Sequence, residues 1–129
     1  MIFGIGLDLV DITRVQENLQ RFGEKFEDKM FTPHEREYCR GKVKPAIHYA
    51  ARFAAKEAFV KALGSGMAHG ITWHDIEILS KNGWKPRLNI SGRAAELVAE
   101  RGVGMMHITL SHAENHAAAM VVLEKAAEQ

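Results

Sequence analysis

Glu57 and Lys61 stand one helical turn apart in the run FAAKEAFVKALG at positions 53–64. On an exposed helix such a pair is an ordinary ion pair worth about 0.2–0.5 kcal/mol. The neighbours here are chiefly alanine and phenylalanine, so we expect this helix to be packed on most sides, where charged groups rarely stand without a partner or ligand. A carboxylate suited to a metal ion and an ammonium group suited to a phosphate fit that setting.

Two further segments carry polar groups in apolar surroundings. Asp8 interrupts the strand-like run GIGLDLV at positions 4–10, where it is either a strand-end turn or cap residue or a functional carboxylate. The run ITLSHAENHAAA at positions 108–119 places Ser111 and His112 just after an apolar strand and before a turn. A lone histidine at a strand end is more often a structural hydrogen-bonding group than a ligand-binding one.

Together these three segments resemble the holo-acyl-carrier-protein synthases, the short members of the 4'-phosphopantetheinyl transferase superfamily. That family carries a G-I-G-x-D-x-V opening, an F-x-x-K-E-A-x-x-K-A-x-G helix and a late S-H segment followed by alanines. This sequence satisfies all three motifs in the same order. The resemblance spans nearly the whole chain, although the stretch from Met67 to Arg101 matches mainly in length and in its pattern of strands and helices.

The resemblance implies an enzyme that moves the 4'-phosphopantetheine arm of coenzyme A onto a serine of apo acyl carrier protein and releases adenosine 3',5'-bisphosphate. It implies that Asp8 and Glu57 hold Mg²⁺ and that Lys61 meets a pyrophosphate oxygen, so these three form the catalytic set. Spacing alone does not bring Asp8 and Glu57 together. Glu57, Asp8 or a metal-bound water could accept the serine proton, and the sequence does not choose among them. Nor does it tell a fatty-acid carrier from a polyketide carrier.

Contacts to coenzyme A follow from the same resemblance. The Gly64-Ser65-Gly66 segment ends the helix and is expected to offer exposed amide groups to phosphate, although such glycines are also typical helix C-caps. Lys85 to Arg87 is a phosphate contact or simply a charged strand end, with the second interpretation slightly favoured. The full set of predicted contacts to coenzyme A is Arg52, Lys61, Gly64, Ser65, Ser111 and His112.

A basic stripe follows the first predicted helix, which Asp11 caps and Gly23 ends. By itself such a stripe is an ordinary solvated face. Acyl carrier proteins present an acidic helix beside their modified serine, so the resemblance implies that the stripe is a docking surface. Its members recur at spacings of four, three and four residues: Arg14, Asn18, Arg21 and Lys25.

Family members of this length are typically homotrimers with active sites between subunits. The resemblance therefore implies that Asp8 and His112 of one chain face Glu57 and Lys61 of a neighbouring chain.

Composition narrows the class of protein. A chain of 129 residues without a compositional break is expected to form a single domain, 1–129. A net charge of +1 argues against a nucleic-acid binder. Cys39 is the only cysteine, which excludes an intrachain disulfide and suits a reducing compartment. No segment resembles a signal peptide or a membrane span, so we expect a cytoplasmic protein without a membrane partner.

The periodicity predicts an α+β fold with a mainly antiparallel sheet packed around one long helix, the 4'-phosphopantetheinyl transferase-like fold. Helices are expected from Pro33 to Arg40, from Pro45 to Leu63 and, capped by Ser91, through Glu100. Strands are expected over the runs 4–10, 75–80, 85–90, 107–110 and 117–123, with Asn82-Gly83 as a hairpin turn.

Two other functions remain open from the sequence. A Mg²⁺-dependent pyrophosphohydrolase would direct water at the same kind of bond, but such enzymes often carry a dense run of glutamates on one helix, which this chain lacks. A non-catalytic module that binds coenzyme A or a carrier protein would not need both Asp8 and Glu57. No histidine and cysteine spacing suggests zinc.

Overall fold

The computed structural model describes residues 1–81 and 85–127. In chain order the elements are β1 (Ile2–Asp11), α1 (Ile12–Phe22), α2 (Glu24–Met30), α3 (Pro33–Arg40), α4 (Pro45–Leu63), a single 3₁₀ turn (Trp73–Asp75), β2 (Ile76–Leu79), β3 (Arg87–Ile90), α5 (Gly92–Glu100), β4 (Val103–His112) and β5 (His116–Lys125). A three-stranded antiparallel sheet with the order β1-β5-β4 and a two-stranded antiparallel sheet, β2-β3, enclose the long helix α4 together with the shorter helices. The prediction of an α+β fold is confirmed.

The glycines that open the chain bring β1 into direct contact with α4. A Cβ added at Gly4 would lie 2.0 Å from the carbonyl oxygen of Ala62, and one at Gly6 would lie 1.8 Å from that of Ala58. Any side chain at these positions would therefore push the strand away from the helix. Because side chains alternate along a strand, Asp8 shares the face of Gly6 and is directed toward α4.

The opposite face of the three-stranded sheet is apolar and uncovered. Ile5, Leu7 and Leu9 alternate with the glycines and are 56 %, 58 % and 65 % exposed. Met120 pairs with Leu7 across the β1–β5 ladder and is 39 % exposed. One face of the sheet therefore packs on α4, while the other presents a row of large apolar side chains to solvent.

Sequence patterns place two helices at their observed bounds. Pro33–Arg40 begins with the predicted capping box, in which Thr32 and Glu35 exchange hydrogen bonds between side chain and backbone. Pro45–Leu63 ends at Gly64, which adopts a left-handed conformation with φ of 81°. Asp11 caps α1 as predicted, accepting a hydrogen bond of 2.9 Å from the Thr13 amide.

Other expectations need correction. Helix α2 was not predicted, and because Gly23 separates it from α1, Lys25 lies on a different helix from the rest of the basic stripe. Strand β4 extends through His112, so Ser111 and His112 belong to the strand instead of following it. The expected Asn82-Gly83 turn lies outside the described residues.

The cap of α5 also differs from the prediction. Ser91 occupies the N-cap position, but its side chain makes no capping hydrogen bond. Asp75 takes that role, since its Oδ2 accepts a hydrogen bond of 3.4 Å from the Ala94 amide. The 3₁₀ turn is thereby tied to the start of α5.

Among the helices of the described ranges, none combines the length and apolar character needed to cross a bilayer.

Candidate active site

Asp8 and Glu57 lie in one pocket of about 300 Å³ between β1, α1 and α4. We call it the carboxylate pocket. The close approach of β1 to α4 explains how two residues 49 positions apart converge, which spacing alone could not show. A third acid, Asp11, also lines the pocket, together with Arg14, Asn18 and Phe53.

Lys61 pairs with Asp8 and not with Glu57, so the ordinary i,i+4 ion pair that the spacing also allows is not formed. Its Nζ lies 2.8 Å from Oδ1 of Asp8 and 3.2 Å from the carbonyl oxygen of Leu7. The hydrogen bond to Asp8 raises the pKa of Lys61. The contact is within one chain, and Asp8 and Glu57 share one pocket, so the expectation that Asp8 faces a neighbouring chain's Glu57 and Lys61 is wrong.

Glu57 is half-buried and lacks the ammonium partner that Asp8 has. Burial raises its pKa above the usual value, and the charge of Asp8 raises it further, while Lys61 acts more weakly in the opposite direction. Two carboxylates that repel each other at the mouth of a pocket form a favourable place for a cation. Asp11 lines the same pocket, but its Oδ1 accepts from the Thr13 amide, and within residues 1–81 and 85–127 no group of three acids, histidines or cysteines is placed to hold a metal ion.

That donor set fits Mg²⁺ better than a metal enclosed by protein ligands. Mg²⁺ prefers oxygen ligands, keeps several waters and is commonly held by one or two carboxylates together with substrate phosphates. Two carboxylates in an open pocket leave room for both. Zinc sites usually need three or four nitrogen or sulfur ligands, which the carboxylate pocket does not offer.

A second pocket, of about 440 Å³, lies at the other side of α4 against β4. We call it the basic pocket, because its lining includes Arg52, His48, Lys85 and His112 and, within the described residues, no aspartate or glutamate. Since β1 and β4 flank β5 in the order of the sheet, the two pockets lie at opposite edges.

Arg52 is the dominant charge of the basic pocket. It is only 3 % exposed, donates to the His48 carbonyl oxygen at 3.1 Å and to Oγ of Ser80 at 2.7 Å, and lies over the Tyr38 ring. Its Nε has no hydrogen-bond partner in the part of the chain that the structure describes. A buried guanidinium that meets only neutral groups is poised for an anion.

His48 and Tyr38 belong to this pocket although the sequence arguments did not single them out. Burial lowers the pKa of His48, and the nearby charges of Arg52, Lys42 and His112 lower it further. The available signal was position, because His48 precedes Arg52 by one helical turn and therefore shares its face. Lys85 also lines the pocket, which supports the phosphate-contact interpretation that the sequence analysis ranked second.

The Gly64-Ser65-Gly66 segment is built differently from the expected amide cradle. The Gly64 amide donates to the carbonyl oxygens of Val60 and Lys61, and the Ser65 amide donates to Val60 at 3.2 Å. Ser65 is buried, and its hydroxyl donates to the Gly66 carbonyl oxygen. The expectation of exposed amides is thus wrong for Gly64 and Ser65, which form a helix C-cap.

The predicted docking stripe divides between the pocket and the surface. Arg14 and Asn18 line the carboxylate pocket, beside Asp8 and Glu57. Arg21 is exposed farther along α1, with its guanidinium 5.1 Å from the centre of the Phe22 ring. Lys25 is exposed on α2. The stripe is therefore not one helix face, but its first half borders the candidate metal ligands.

Comparison with known proteins identifies the family. A model of the 4'-phosphopantetheinyl transferase superfamily matches residues 4–121. The chain belongs to this superfamily. A relative from Geobacter metallireducens, named holo-[acyl-carrier-protein] synthase, is 49 % identical over 125 residues, which are 97 % of this chain and 99 % of the relative. The superfamily assignment made from the three motifs is confirmed, and so is the expectation that the chain is an enzyme, a phosphopantetheinyl transferase.

Solved structures of the superfamily share the fold. The holo-[acyl-carrier-protein] synthase of Neisseria meningitidis aligns with a TM-score of 0.88 and 34 % identity. The alignment covers 97 % of this chain and 100 % of that one. The Helicobacter pylori synthase, solved in complex with coenzyme A, aligns with a TM-score of 0.81 and 30 % identity, covering 93 % of this chain and 99 % of that one.

Proposed function

We propose that this chain, as a single domain over residues 1–129, transfers 4'-phosphopantetheine from coenzyme A to a serine of apo acyl carrier protein in a Mg²⁺-dependent reaction that releases adenosine 3',5'-bisphosphate. The observation that carries the proposal is that Asp8 and Glu57 share one pocket while a buried Arg52, for which the described residues provide no ion pair, lines another. The first arrangement suits a cation and the second suits a phosphate, and coenzyme A carries both a pyrophosphate and a 3'-phosphate.

The basic pocket is the proposed site for the phosphates of coenzyme A. Arg52 supplies a fixed, planar positive charge at the wall of this pocket. Ser111 and His112 approach from β4, and Lys85 approaches from the residues before β3. Gly64 and Ser65 contribute by ending α4 one turn after Lys61, while their amides donate within the helix C-cap and not to a phosphate.

In the carboxylate pocket, Asp8 and Glu57 would hold Mg²⁺. The bound ion supplies charge neutralisation at the pyrophosphate, whose crowded negative charge is the main barrier to nucleophilic attack. Lys61 is half exposed at 51 %, so it can exchange the Asp8 carboxylate for a phosphate oxygen. There it would stabilise charge on the departing phosphate as a point charge.

A homotrimer would bring the two kinds of pocket together. In a closed ring the β1 edge of one copy meets the β4 edge of the next, so the carboxylate pocket would face a neighbour's basic pocket, including His112. The exposed apolar face of β1 and β5, which includes Leu7, Leu9 and Met120, is the surface that such a ring would cover. Sedimentation velocity of the wild type and Leu9→Arg tests this, since the variant should run as a monomer and lose transferase activity.

Arg14 is the proposed contact for the acidic helix of the carrier protein. It is exposed, lines the carboxylate pocket and is placed to hold a carrier serine near Glu57. Arg14→Glu should raise the apparent KM for carrier protein about tenfold or more, because like charges at a docking surface cost affinity and on-rate. Steady-state kinetics should show little change in the KM for coenzyme A, and an equal loss for both substrates would contradict the proposal.

Intact mass spectrometry of apo acyl carrier protein, incubated with this protein, coenzyme A and Mg²⁺, tests the central proposal. A gain of one phosphopantetheine, about 340 daltons from the chemistry of the arm, is expected and should disappear with a chelator. Cleavage of coenzyme A without transfer would instead indicate a pyrophosphohydrolase. Tight binding of coenzyme A without any gain on several carriers would indicate a non-catalytic binding module.

A further inference from the structure

Lys56 and Glu35 form a buried ion pair that the proposed chemistry does not use. Both side chains are fully buried at 0 % exposure, and Nζ of Lys56 lies 2.8 Å from Oε1 of Glu35. The same ammonium group donates to the carbonyl oxygens of Trp73 at 2.9 Å and Ile76 at 2.6 Å. Its three donors are therefore matched by three acceptors on three different elements.

Glu35 is held just as fully. Its Oε1 also accepts from the Thr32 amide at 2.9 Å, and its Oε2 accepts from the Ile78 amide at 2.8 Å. The pair therefore joins α3, α4, the 3₁₀ turn and β2 in one network. A small rotation of α4 would separate the ammonium group from two backbone carbonyls at once.

Such a network contributes more to specificity than to stability. Removing two charges from water is costly, and replacing a buried ion pair by neutral or apolar groups is often neutral or even stabilising. A network with a full set of directional partners, however, permits only one arrangement of the elements that it joins. The question is which arrangement this network selects.

The neighbouring residues answer that question. Glu57 follows Lys56 directly, and consecutive helical residues differ by about 100° around the axis and about 1.5 Å along it. With Lys56 held toward α3 and β2, Glu57 is turned to the carboxylate pocket and Asp8. Trp73, whose carbonyl oxygen accepts from Lys56, also places its ring 5.6 Å from the ring of Phe53, which lines that pocket.

We propose that Lys56 and Glu35 are positioning residues for the cation site, fixing the rotation of α4 so that Glu57 and Asp8 converge. This inference rests on the proposed function, because it takes the two carboxylates as the cation ligands. Neither Lys56 nor Glu35 contacts substrate. They affect the reaction indirectly, because they position Glu57 and Phe53, which line the carboxylate pocket.

The test separates positioning from general stability. Single variants leave an unpaired buried charge and are expected to fold poorly. The double variant Lys56→Met/Glu35→Gln removes both charges. Its amide oxygen can accept from only one of the Thr32 and Ile78 amides, and the carbonyl oxygens of Trp73 and Ile76 lose their donor. Leu97→Ala, a core truncation on α5 that lines neither pocket, is the matched control for lost stability.

Mn²⁺ serves as the probe, with its binding followed by the electron paramagnetic resonance signal of the free ion and stability followed by Tm. The double variant should recover part of the Tm that the single variants lose and should bind Mn²⁺ about tenfold more weakly than the wild type. Leu97→Ala should lower Tm and change Mn²⁺ affinity less than twofold. Lost stability alone could not explain why Mn²⁺ affinity falls in the double variant but not in Leu97→Ala.

Two results would overturn the proposal, and they are distinguishable. A double variant that binds Mn²⁺ as tightly as the wild type would refute positioning and leave the cation site intact. A wild type that binds no Mn²⁺, with or without coenzyme A, would refute the cation site itself and the proposed function with it.

Discussion

Lys56 and Glu57 are neighbours on α4, yet their surroundings are opposite. Lys56 is fully buried and has a partner for each of its three donors. Glu57 is half-buried beside another carboxylate, while the nearby ammonium group bonds to Asp8 instead. The charge of Lys56 is fully compensated by its hydrogen-bond partners, whereas the charge of Glu57 is opposed both by burial and by Asp8. The comparison shows how a single helix can supply structural order on one side and an incomplete, reactive site on the other.

The two pKa shifts express the same contrast. Burial lowers the pKa of Lys56, and Glu35 counteracts this by stabilising the ammonium form. Burial raises the pKa of Glu57, and Asp8 adds to the shift. Where the protein buries Lys56 it provides compensation within the fold, whereas we propose that a bound cation compensates Glu57. Sites that bind and act are commonly destabilising in this way.

Glu57→Gln should give the largest effect and separate activity from stability. The amide cannot supply the anionic ligand that the proposed cation needs, so we expect kcat/KM for transfer to fall by about 10³-fold. The apo protein should become slightly more stable, with a Tm rise of roughly 1–3 °C, because the repulsion with Asp8 is removed. Mass spectrometry of the carrier and differential scanning calorimetry measure the two quantities. A lower Tm would show that Glu57 is a structural residue.

Glu35→Gln is the same chemical change at the other side of the helix and should have the opposite effect on stability. It leaves the Lys56 ammonium group buried without its carboxylate, a change that typically costs about 3–5 kcal/mol. Urea unfolding should show the loss as a lower midpoint with an unchanged m-value. If Glu35→Gln and Glu57→Gln shift stability in the same direction, the contrast between the two sites is wrong.

Lys61→Met should produce a smaller change within the reactive site. The ammonium group occupies Asp8 in the free protein, so its removal should leave Mn²⁺ affinity unchanged or a few-fold tighter, since the cation no longer competes with Lys61. Transfer should slow by about tenfold to a hundredfold because the positive charge near the leaving phosphate is lost. Weaker Mn²⁺ binding would instead show that Lys61 supports the cation site.

The sequence predicted what depends on local chemistry. Pro45 and Gly64 are local signals, and they place α4 at its observed bounds. The opening glycines matched a family motif. The physical reason for them, the close approach of β1 to Ala58 and Ala62, is visible only in the folded structure. Helix α2 has no local start signal of its own, because the same Gly23 that ends α1 also precedes α2 without a side-chain cap.

Long-range partners could not be predicted from spacing. The i,i+4 spacing offers Glu57 as a partner for Lys61, but Lys61 pairs with Asp8, which is 53 positions away. Lys56 lies in the same motif as Glu57, and nothing local reveals that its partner is Glu35, 21 positions earlier. Local spacing offers a candidate partner, but a residue from another strand or helix can displace it when packing brings that residue closer.

The pH dependence of cation binding should be the mildest and most specific consequence of the raised pKa of Glu57. Between its ordinary and its raised pKa, the folded protein holds a proton at Glu57 that the unfolded chain does not. The contribution of this group to stability is therefore largest at acid pH and falls as the pH rises through that window. Over the same window, proton loss should strengthen Mn²⁺ binding by up to about tenfold per pH unit.

Measured from about pH 4.5 to 7.5, the paramagnetic resonance titration should show the affinity levelling off at a pH above the usual glutamate range. In Glu57→Gln this rise should be absent, and so should the matching fall in Tm. The ionisation of Glu57 would then account for both pH curves, because losing its proton lowers Tm and strengthens Mn²⁺ binding. A wild-type affinity already level at the ordinary glutamate pKa would show that burial and Asp8 do not perturb Glu57.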